Sequence, residues 1–284
     1  VLDDKKADTS TVYDSKGGRI QYYGRSVKDS NGKGYGKISL ARGFELSSNT
    51  ILVQSVYDSY KNNPKQFVDR INSYGLNKPL GLPIKGEGVP VIPQPGTNRW
   101  SGVTLPWMAF GYGLSVTPLQ TLTLYNAVAN DGVMVKPIFV SEIKEWNKTI
   151  KKYNTEVINP KICSQETLDK VQAVLENVVK KGTGSKLYSK DFSMAGKTGT
   201  AQVNYKDKSK LYYASSFVGY FPADEPKYSC IIVVHKPNVA AGYYGADVAG
   251  PVFKRIAQKI FTDSPSTNHV KNIDAKVVSQ EKNY

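Results

Sequence analysis

The residues that most clearly suggest chemistry are Lys197-Thr198-Gly199-Thr200, on a segment patterned like a β-strand, 193–203. A lysine at a strand edge places positive charge beside a cleft, and the hydroxyls of Thr198 and Thr200 can bind a substrate carboxylate. Gly199 carries no side chain that would block approach to the strand. This combination suits acyl transfer through a serine, which needs a lysine to manage the proton and donors for the oxyanion. The alternative is an ordinary exposed strand.

A second candidate is Ser47-Ser48-Asn49, which has the pattern S-x-N. The hydroxyl of Ser47 and the amide of Asn49 could relay a proton and hold a substrate carbonyl. The alternative is a helix N-cap, because Ser and Asn are favoured there. The two interpretations are compatible, since a helix that begins after Asn49 would hold the motif in a fixed loop.

The hydrophobic pattern predicts which elements position these motifs. Polar, glycine-punctuated residues 10–40 predict a loose hairpin, and residues 79–106 predict a long irregular connection. Apolar residues at helical spacing predict five helices: one after Asn49, one from Pro64 to Gly75, one opened by Thr117-Pro118, one from Ser164 to Gly182, and a last one carrying Val248, Val252, Ile256 and Ile260.

Three strands are predicted near the lysine motif, at residues 193–203, 213–221 and 228–236. The last two are joined by a short turn with two prolines, so they should form an antiparallel hairpin. Helices followed by antiparallel strands and one further helix predict an α+β fold. From Thr262 onward the chain is polar and unpatterned, which predicts a linker or tail over 263–284.

Composition excludes several classes of protein. The chain has 284 residues and 40% hydrophobic residues, enough for a buried core. No stretch reaches the roughly 18 apolar residues that span a bilayer, and the 284 residues contain no targeting signal. The formal charge is +14, but the lysines are scattered, with local clusters such as Lys206, Lys208 and Lys210, so no nucleic-acid partner is predicted. Two cysteines and two histidines lack metal-ligand spacing, so neither a metal nor a cofactor is predicted.

Several segments together resemble a known family. The run 110–120, FGYGLSVTPLQ, resembles the GYGLxVTPLQ segment of class B penicillin-binding proteins of the cell-division type. Residues 196–202 and 216–222 are similar to that family's lysine strand and its F-V-G-Y-x-P strand. Tyr243-Tyr244-Gly245 and the residues 248–253 that follow are similar to its last helix. K-T-G and S-x-N belong to the signature set of penicillin-binding proteins and β-lactamases, and all the matches occur in family order.

The resemblance implies a peptidoglycan D,D-transpeptidase of β-lactamase/transpeptidase-like fold, with an antiparallel sheet flanked by helices. Such enzymes crosslink stem peptides through an acyl-serine and release the terminal D-alanine, and β-lactams acylate the same serine. By this resemblance Ser47, Asn49 and Lys197 are catalytic, and Thr198, Gly199 and Thr200 bind substrate. The Thr200 N–H would form half of the oxyanion hole. The implied partners are stem peptides, β-lactams and cell-division membrane proteins. The implied location is the cell envelope, with the catalytic domain in the periplasm or extracytoplasmic space and an inner-membrane anchor that is not in this chain.

The S-x-x-K nucleophile of the family has no acceptable match. Ser30/Lys33 spans a turn, Ser141/Lys144 comes well after the second motif, and Ser279/Lys282 lies in the tail. We therefore expect a transpeptidase domain over 1–262 that starts just after the nucleophile helix, lacks the first strands of its sheet and is inactive by itself. The alternatives are a non-catalytic domain that binds β-lactams or peptidoglycan, and a serine β-lactamase or D,D-carboxypeptidase.

Overall fold

The computed structural model describes residues 1–204 and 209–263. Its helices are α1 Leu40–Glu45, α2 Asn49–Tyr60, α3 Pro64–Ser73, α4 Thr104–Met108, α5 Pro118–Ala129, α6 Gln165–Lys181, α7 Gly245–Val248 and α8 Gly250–Asp263. Its strands are β1 Val12–Asp14, β2 Arg19–Tyr22, β3 Arg25–Lys28, β4 Lys37–Ser39, β5 Met134–Val135, β6 Glu142–Glu145, β7 Lys148–Lys152, β8 Val157–Asn159, β9 Ala195–Val203, β10 Tyr212–Phe221 and β11 Tyr228–His235.

The centre of the fold is an antiparallel sheet in the order β11-β10-β9. Successive side chains of a strand point to opposite faces, and both faces of this sheet are covered. Phe217 and Phe221 pack with Phe253 of α8 on one face. Tyr220 and Ala195 pack with helices α5 and α6 on the other, against residues such as Leu168. The predicted α+β fold with an antiparallel sheet flanked by helices is confirmed.

Helix α5 shows how local sequence fixes the elements around the sheet. Thr117 accepts a hydrogen bond from the Gln120 N–H at 3.1 Å, and the Gln120 side chain accepts one from the Thr117 N–H at 2.9 Å. This reciprocal capping box satisfies two donors that the first turn leaves free. Pro118 occupies the first turn, where its missing N–H costs nothing. The predicted helix start at Thr117-Pro118 is confirmed.

The region before Ser47 consists of short strands rather than one loose hairpin. Strands β2 and β3 form a hairpin around Tyr23 and Gly24, both with positive φ, and β1 pairs with β4. A two-residue turn with positive φ at both positions matches the twist of the flanking strands. The end of β3 thereby comes next to the start of helix α2.

The structure also differs from the sequence interpretation in the middle and at the end of the chain. Helix α4 interrupts the predicted irregular connection 79–106, because Leu105 and Met108 are buried against helices α2 and α3. Short strands β5 to β8 occupy a region for which the pattern predicted no strand pairs. The predicted last helix is two helices, α7 and α8, separated at Ala249. Lys206, Lys208 and the tail beyond Asp263, with Ser279 and Lys282, lie outside the described residues.

The capping box yields a stability prediction. Replacing Thr117 by Ala should lower the free energy of unfolding by about 1 kcal/mol, because one donor of the first turn loses its partner. The matched control is Thr121→Ala, since the Thr121 hydroxyl only donates to the Thr117 carbonyl of its own helix. Chemical denaturation measures both, and equal losses in the two variants would contradict the assigned role of Thr117.

Candidate active site

The two motifs singled out from the sequence meet in the structure. The Lys197 Nζ atom donates to the Ser47 Oγ atom at 2.5 Å, although 150 positions separate them, and to the Thr198 carbonyl at 3.2 Å. The same Nζ atom lies 5.6 Å from the centroid of the Phe44 ring. Strand β9 thus presents its lysine to the turn that follows helix α1.

The amine of Lys197 is in an unusual electrostatic state. The side chain is half-buried, and desolvation by the surrounding protein lowers its pKa from 10.5 to about 8. A substantial fraction of the amine is therefore neutral at mildly alkaline pH. A neutral amine in hydrogen-bond contact with a hydroxyl can accept its proton, and a charged one can return it. The pair has the chemistry of a proton relay.

Ser47 owes its position to the way helix α1 ends. The Ser47 N–H bonds the Phe44 carbonyl at 3.0 Å and the Ser48 N–H bonds the Gly43 carbonyl at 2.8 Å. These are the two hydrogen bonds of a Schellman motif, whose first residue past the cap adopts a left-handed conformation. Glycine usually occupies that position, but here it is Ser47, with φ of 56°. The fold accepts this backbone strain at the residue whose hydroxyl meets Lys197.

The other residues of the S-x-N motif are anchored to the end of strand β3. Ser48 caps helix α2, with its Oγ atom 3.3 Å from the Ile51 nitrogen, and donates to both carboxylate oxygens of buried Asp29 at 3.1 Å. Thr50 gives Asp29 two more hydrogen bonds, each 2.9 Å long. Asn49 donates to the Lys28 carbonyl at 2.8 Å. The cap expected in this motif is therefore Ser48.

The threonines of the lysine strand contact two other segments. Thr198 and Thr183 share a hydrogen bond between their hydroxyls at 2.9 Å. The Thr200 hydroxyl accepts from the Gly245 N–H at 3.0 Å, at the start of helix α7. Gly199 pairs with Ser216 of β10, and a Cβ atom at this position would lie 2.5 Å from the Ser216 hydroxyl. Close packing against β10 thus gives a reason for a glycine here, besides the open approach expected from the sequence.

Sequence reasoning missed three residues that hold this site, Asp29, Phe44 and Thr183, and it named Gly245 only as part of the similarity to the family's last helix. Asp29 lies within the predicted loose hairpin and Thr183 follows a helix stop, so no local pattern marks either as a contact of a distant motif. Of the rejected S-x-x-K pairs, Ser30, Lys33, Ser141 and Lys144 are all exposed.

Among the described residues, no group of three or more acidic, histidine or cysteine side chains could hold a metal ion. In the same part of the chain, no helix has the length and apolarity to cross a membrane.

Comparison with known proteins decides the family. Residues 1–258 match the family described as penicillin binding protein transpeptidase domain. The chain belongs to this family. It is 32% identical over 199 residues to peptidoglycan D,D-transpeptidase FtsI of Buchnera aphidicola, and this match covers 69% of this chain and 33% of that protein. It is 30% identical over 254 residues to penicillin-binding protein PbpB of Mycolicibacterium smegmatis, covering 84% of this chain and 38% of that protein.

A solved structure of similar fold comes from Mycobacterium tuberculosis. Its penicillin-binding protein 3, complexed with aztreonam, is 26% identical to this chain with a TM-score of 0.77, and the match covers 92% of this chain and 59% of that one. The resemblance to class B penicillin-binding proteins is confirmed by these matches. The chain spans about a third of the length of the curated relatives it matches.

The left-handed backbone of Ser47 predicts that glycine is more stabilising than alanine at this position, the reverse of their order inside a helix. Ser47→Gly should be more stable than Ser47→Ala by about 1 kcal/mol, because glycine adopts positive φ without strain and alanine does not. Both variants lose the hydroxyl, so each is the control for the other. Denaturant titration gives the difference, and an alanine variant as stable as the glycine variant would argue against the assigned geometry.

The lowered pKa of Lys197 predicts a pH-dependent stability. Below pH 8 the amine is charged in the folded and unfolded states, so the full cost of its burial opposes folding. Above pH 8 the folded protein releases the proton, while the unfolded chain keeps it to about pH 10.4, so this cost fades as pH rises. The stability of Lys197→Met relative to wild type should therefore fall between pH 7 and pH 10, by roughly 1–3 kcal/mol.

Measuring both proteins by urea unfolding at each pH cancels the titration of every other group. A stability difference that stays constant from pH 7 to pH 10 would contradict the lowered pKa of Lys197.

Proposed function

We propose that this chain supplies two walls of the active site of a peptidoglycan D,D-transpeptidase that also binds β-lactams. Ser47, Asn49 and Lys197 are its catalytic residues, and Thr198, Gly199 and Thr200 line the substrate strand. The observation that carries the proposal is the 2.5 Å contact between the Lys197 Nζ and Ser47 Oγ atoms, with an amine whose pKa burial lowers to about 8. Membership of the transpeptidase-domain family supports it.

The acylated serine, in this proposal, belongs to an S-x-x-K segment outside these 284 residues. The lysine of that segment takes the serine proton as the serine oxygen attacks the carbonyl carbon of the terminal peptide bond of a stem peptide; a C–O bond forms, and the C–N bond then breaks. The departing D-alanine nitrogen takes a proton relayed through the Ser47 hydroxyl from Lys197. An amine of a second stem peptide then attacks the acyl carbon, and the C–O bond to the serine breaks. The amine gives its proton to Lys197 by way of Ser47, and the serine oxygen takes its own proton back from the lysine of its segment.

The strand residues have a separate task in the same reaction. The hydroxyls of Thr198 and Thr200 bind the terminal carboxylate, and the Thr200 N–H provides one of two donors to the oxyanion. Donors that point at developing charge from a fixed backbone lose no reorganisation energy during the reaction. The Asn49 amide holds the carbonyl of the substrate backbone. A β-lactam carries an equivalent carboxylate and a strained carbonyl, so it occupies the same positions.

The setting of the reaction is part of the proposal. Peptidoglycan lies outside the cytoplasmic membrane, so the domain works in the extracytoplasmic envelope, held by a membrane anchor that is not in this chain. Its protein partners are membrane proteins of cell division. The name FtsI, carried by a relative at 32% identity, supports the division assignment.

Acylation by penicillin tests the proposal. The 284-residue chain incubated with benzylpenicillin should gain no acyl mass, because loss of a serine nucleophile costs on the order of a millionfold in rate. The full-length gene product should gain one acyl group, on a serine outside residues 1–284. In that protein Lys197→Met should slow acylation at least a hundredfold.

The matched control is Lys190→Met, which removes an exposed lysine near the same strand and should leave the acylation rate unchanged. An acyl group on any serine of the 284-residue chain would overturn the assignment of the nucleophile. Reversible binding of penicillin to the full-length protein without acylation would instead indicate a non-catalytic binding domain.

A further inference from the structure

Glu45 is a buried carboxylate whose side chain is 4% exposed. A charged group rarely enters the interior without partners, because desolvation costs more than an isolated contact returns. Glu45 has two cationic partners: an Arg42 guanidinium nitrogen donates to it at 2.8 Å, and the Lys181 amine lies 3.8 Å from its other oxygen. The same Arg42 nitrogen also donates to the Lys181 carbonyl at 2.9 Å. These contacts fasten helix α1 to the end of helix α6.

The backbone of Glu45 joins the same two helices. Its carbonyl accepts a hydrogen bond from the Thr183 N–H at 3.0 Å. A Cβ atom on Gly182 would lie 2.4 Å from this carbonyl, so only glycine allows the approach. We call Arg42, Glu45, Lys181 and Thr183 the Glu45 clamp.

Both motifs of the site are attached to the Glu45 clamp. Ser47 lies two residues after Glu45, in the turn that ends helix α1. Thr183 lies two residues after the end of helix α6, and its hydroxyl bonds the hydroxyl of Thr198, the neighbour of Lys197. The clamp therefore fixes the turn that carries Ser47 against the strand that carries Lys197.

The clamp acts on Lys197 through position. Burial is what lowers the pKa of the Lys197 amine, and no charge of the Glu45 clamp contributes to the shift. The Phe44 ring over the amine belongs to the same helix turn as Glu45. Movement of helix α1 away from β9 would therefore withdraw both Ser47 and the ring, and it would let water reach the amine.

We propose that Glu45 is a positioning residue that holds Ser47 and Phe44 against Lys197 by clamping helix α1 to the end of helix α6. This inference rests on the proposed function for its catalytic meaning, but its geometry does not. Removing the clamp should rehydrate Lys197 without removing any atom that touches it.

The test is the pH profile of Lys197 reactivity in the 284-residue chain. Only a neutral amine reacts with acetic anhydride, so trace acetylation followed by mass spectrometry of the peptide that contains Lys197 gives its pKa. Wild type should show a midpoint near pH 8, the value set by burial. Glu45→Ala should raise that midpoint by about one unit or more, which lowers the neutral fraction at pH 7 about tenfold.

Two further variants separate positioning from loss of stability. Val68→Ala opens a cavity at a fully buried residue of another cluster and should leave the Lys197 midpoint unchanged. Glu45→Gln keeps an oxygen acceptor for Arg42 and should raise the midpoint less than Glu45→Ala does. An unchanged midpoint in Glu45→Ala, an equal rise in Val68→Ala, or an equal rise in Glu45→Gln would each overturn the proposal.

The acetylation experiment requires no catalytic turnover, so either of the two proposals can be refuted without the other. Absence of acylation in the full-length protein would refute the proposed function and leave the Glu45 result standing. If the pH midpoint of Lys197 acetylation is the same in Glu45→Ala as in wild type, the clamp is refuted and the acylation result is unaffected.

Discussion

The contact between the Lys197 amine and the Ser47 hydroxyl is the constraint on which the rest of this structure depends. The Lys197 amine is largely removed from water and lies 2.5 Å from the hydroxyl of Ser47, a residue whose backbone φ is positive. Desolvation of the amine and the positive φ of Ser47 both oppose folding. The domain tolerates them because both faces of the central sheet are covered by apolar side chains, including Phe217 on one face and Tyr220 on the other.

Three sets of hydrogen bonds fix the residues of the site. Asp29 fixes Ser48 and Thr50 by four side-chain and backbone hydrogen bonds. The Schellman ending of α1 aims Ser47 at the lysine. Antiparallel pairing of β9 with β10 fixes the register of Lys197 through Thr200. Because 150 positions separate Ser47 from Lys197, the site exists only where distant segments of the chain pack together.

Much of this could be predicted from the sequence, and the limit has a physical cause. The capped helix at Thr117, the helix that ends at Gly182 and the hairpin of β10 and β11 carry their signals within a few residues, so pattern reasoning found them. The motifs at Ser47 and Lys197 were also found, because their residue types are specific. The roles of Asp29 and Thr183 were not, since each acts on a residue far away in sequence and neither belongs to a motif. The short strands β5 to β8 escaped prediction because they are mostly exposed and lack apolar alternation.

The most direct test of the account is the coupling free energy between Ser47 and Lys197. Unfolding free energies of wild type, Ser47→Ala, Lys197→Met and the double variant, measured at pH 7, give it as a double-mutant cycle. If the two side chains interact as described, the single effects will fail to add by about 0.5 kcal/mol or more. Single effects that add within about 0.3 kcal/mol would show that the amine and the hydroxyl do not interact, and the shared site assigned to the two motifs would be wrong.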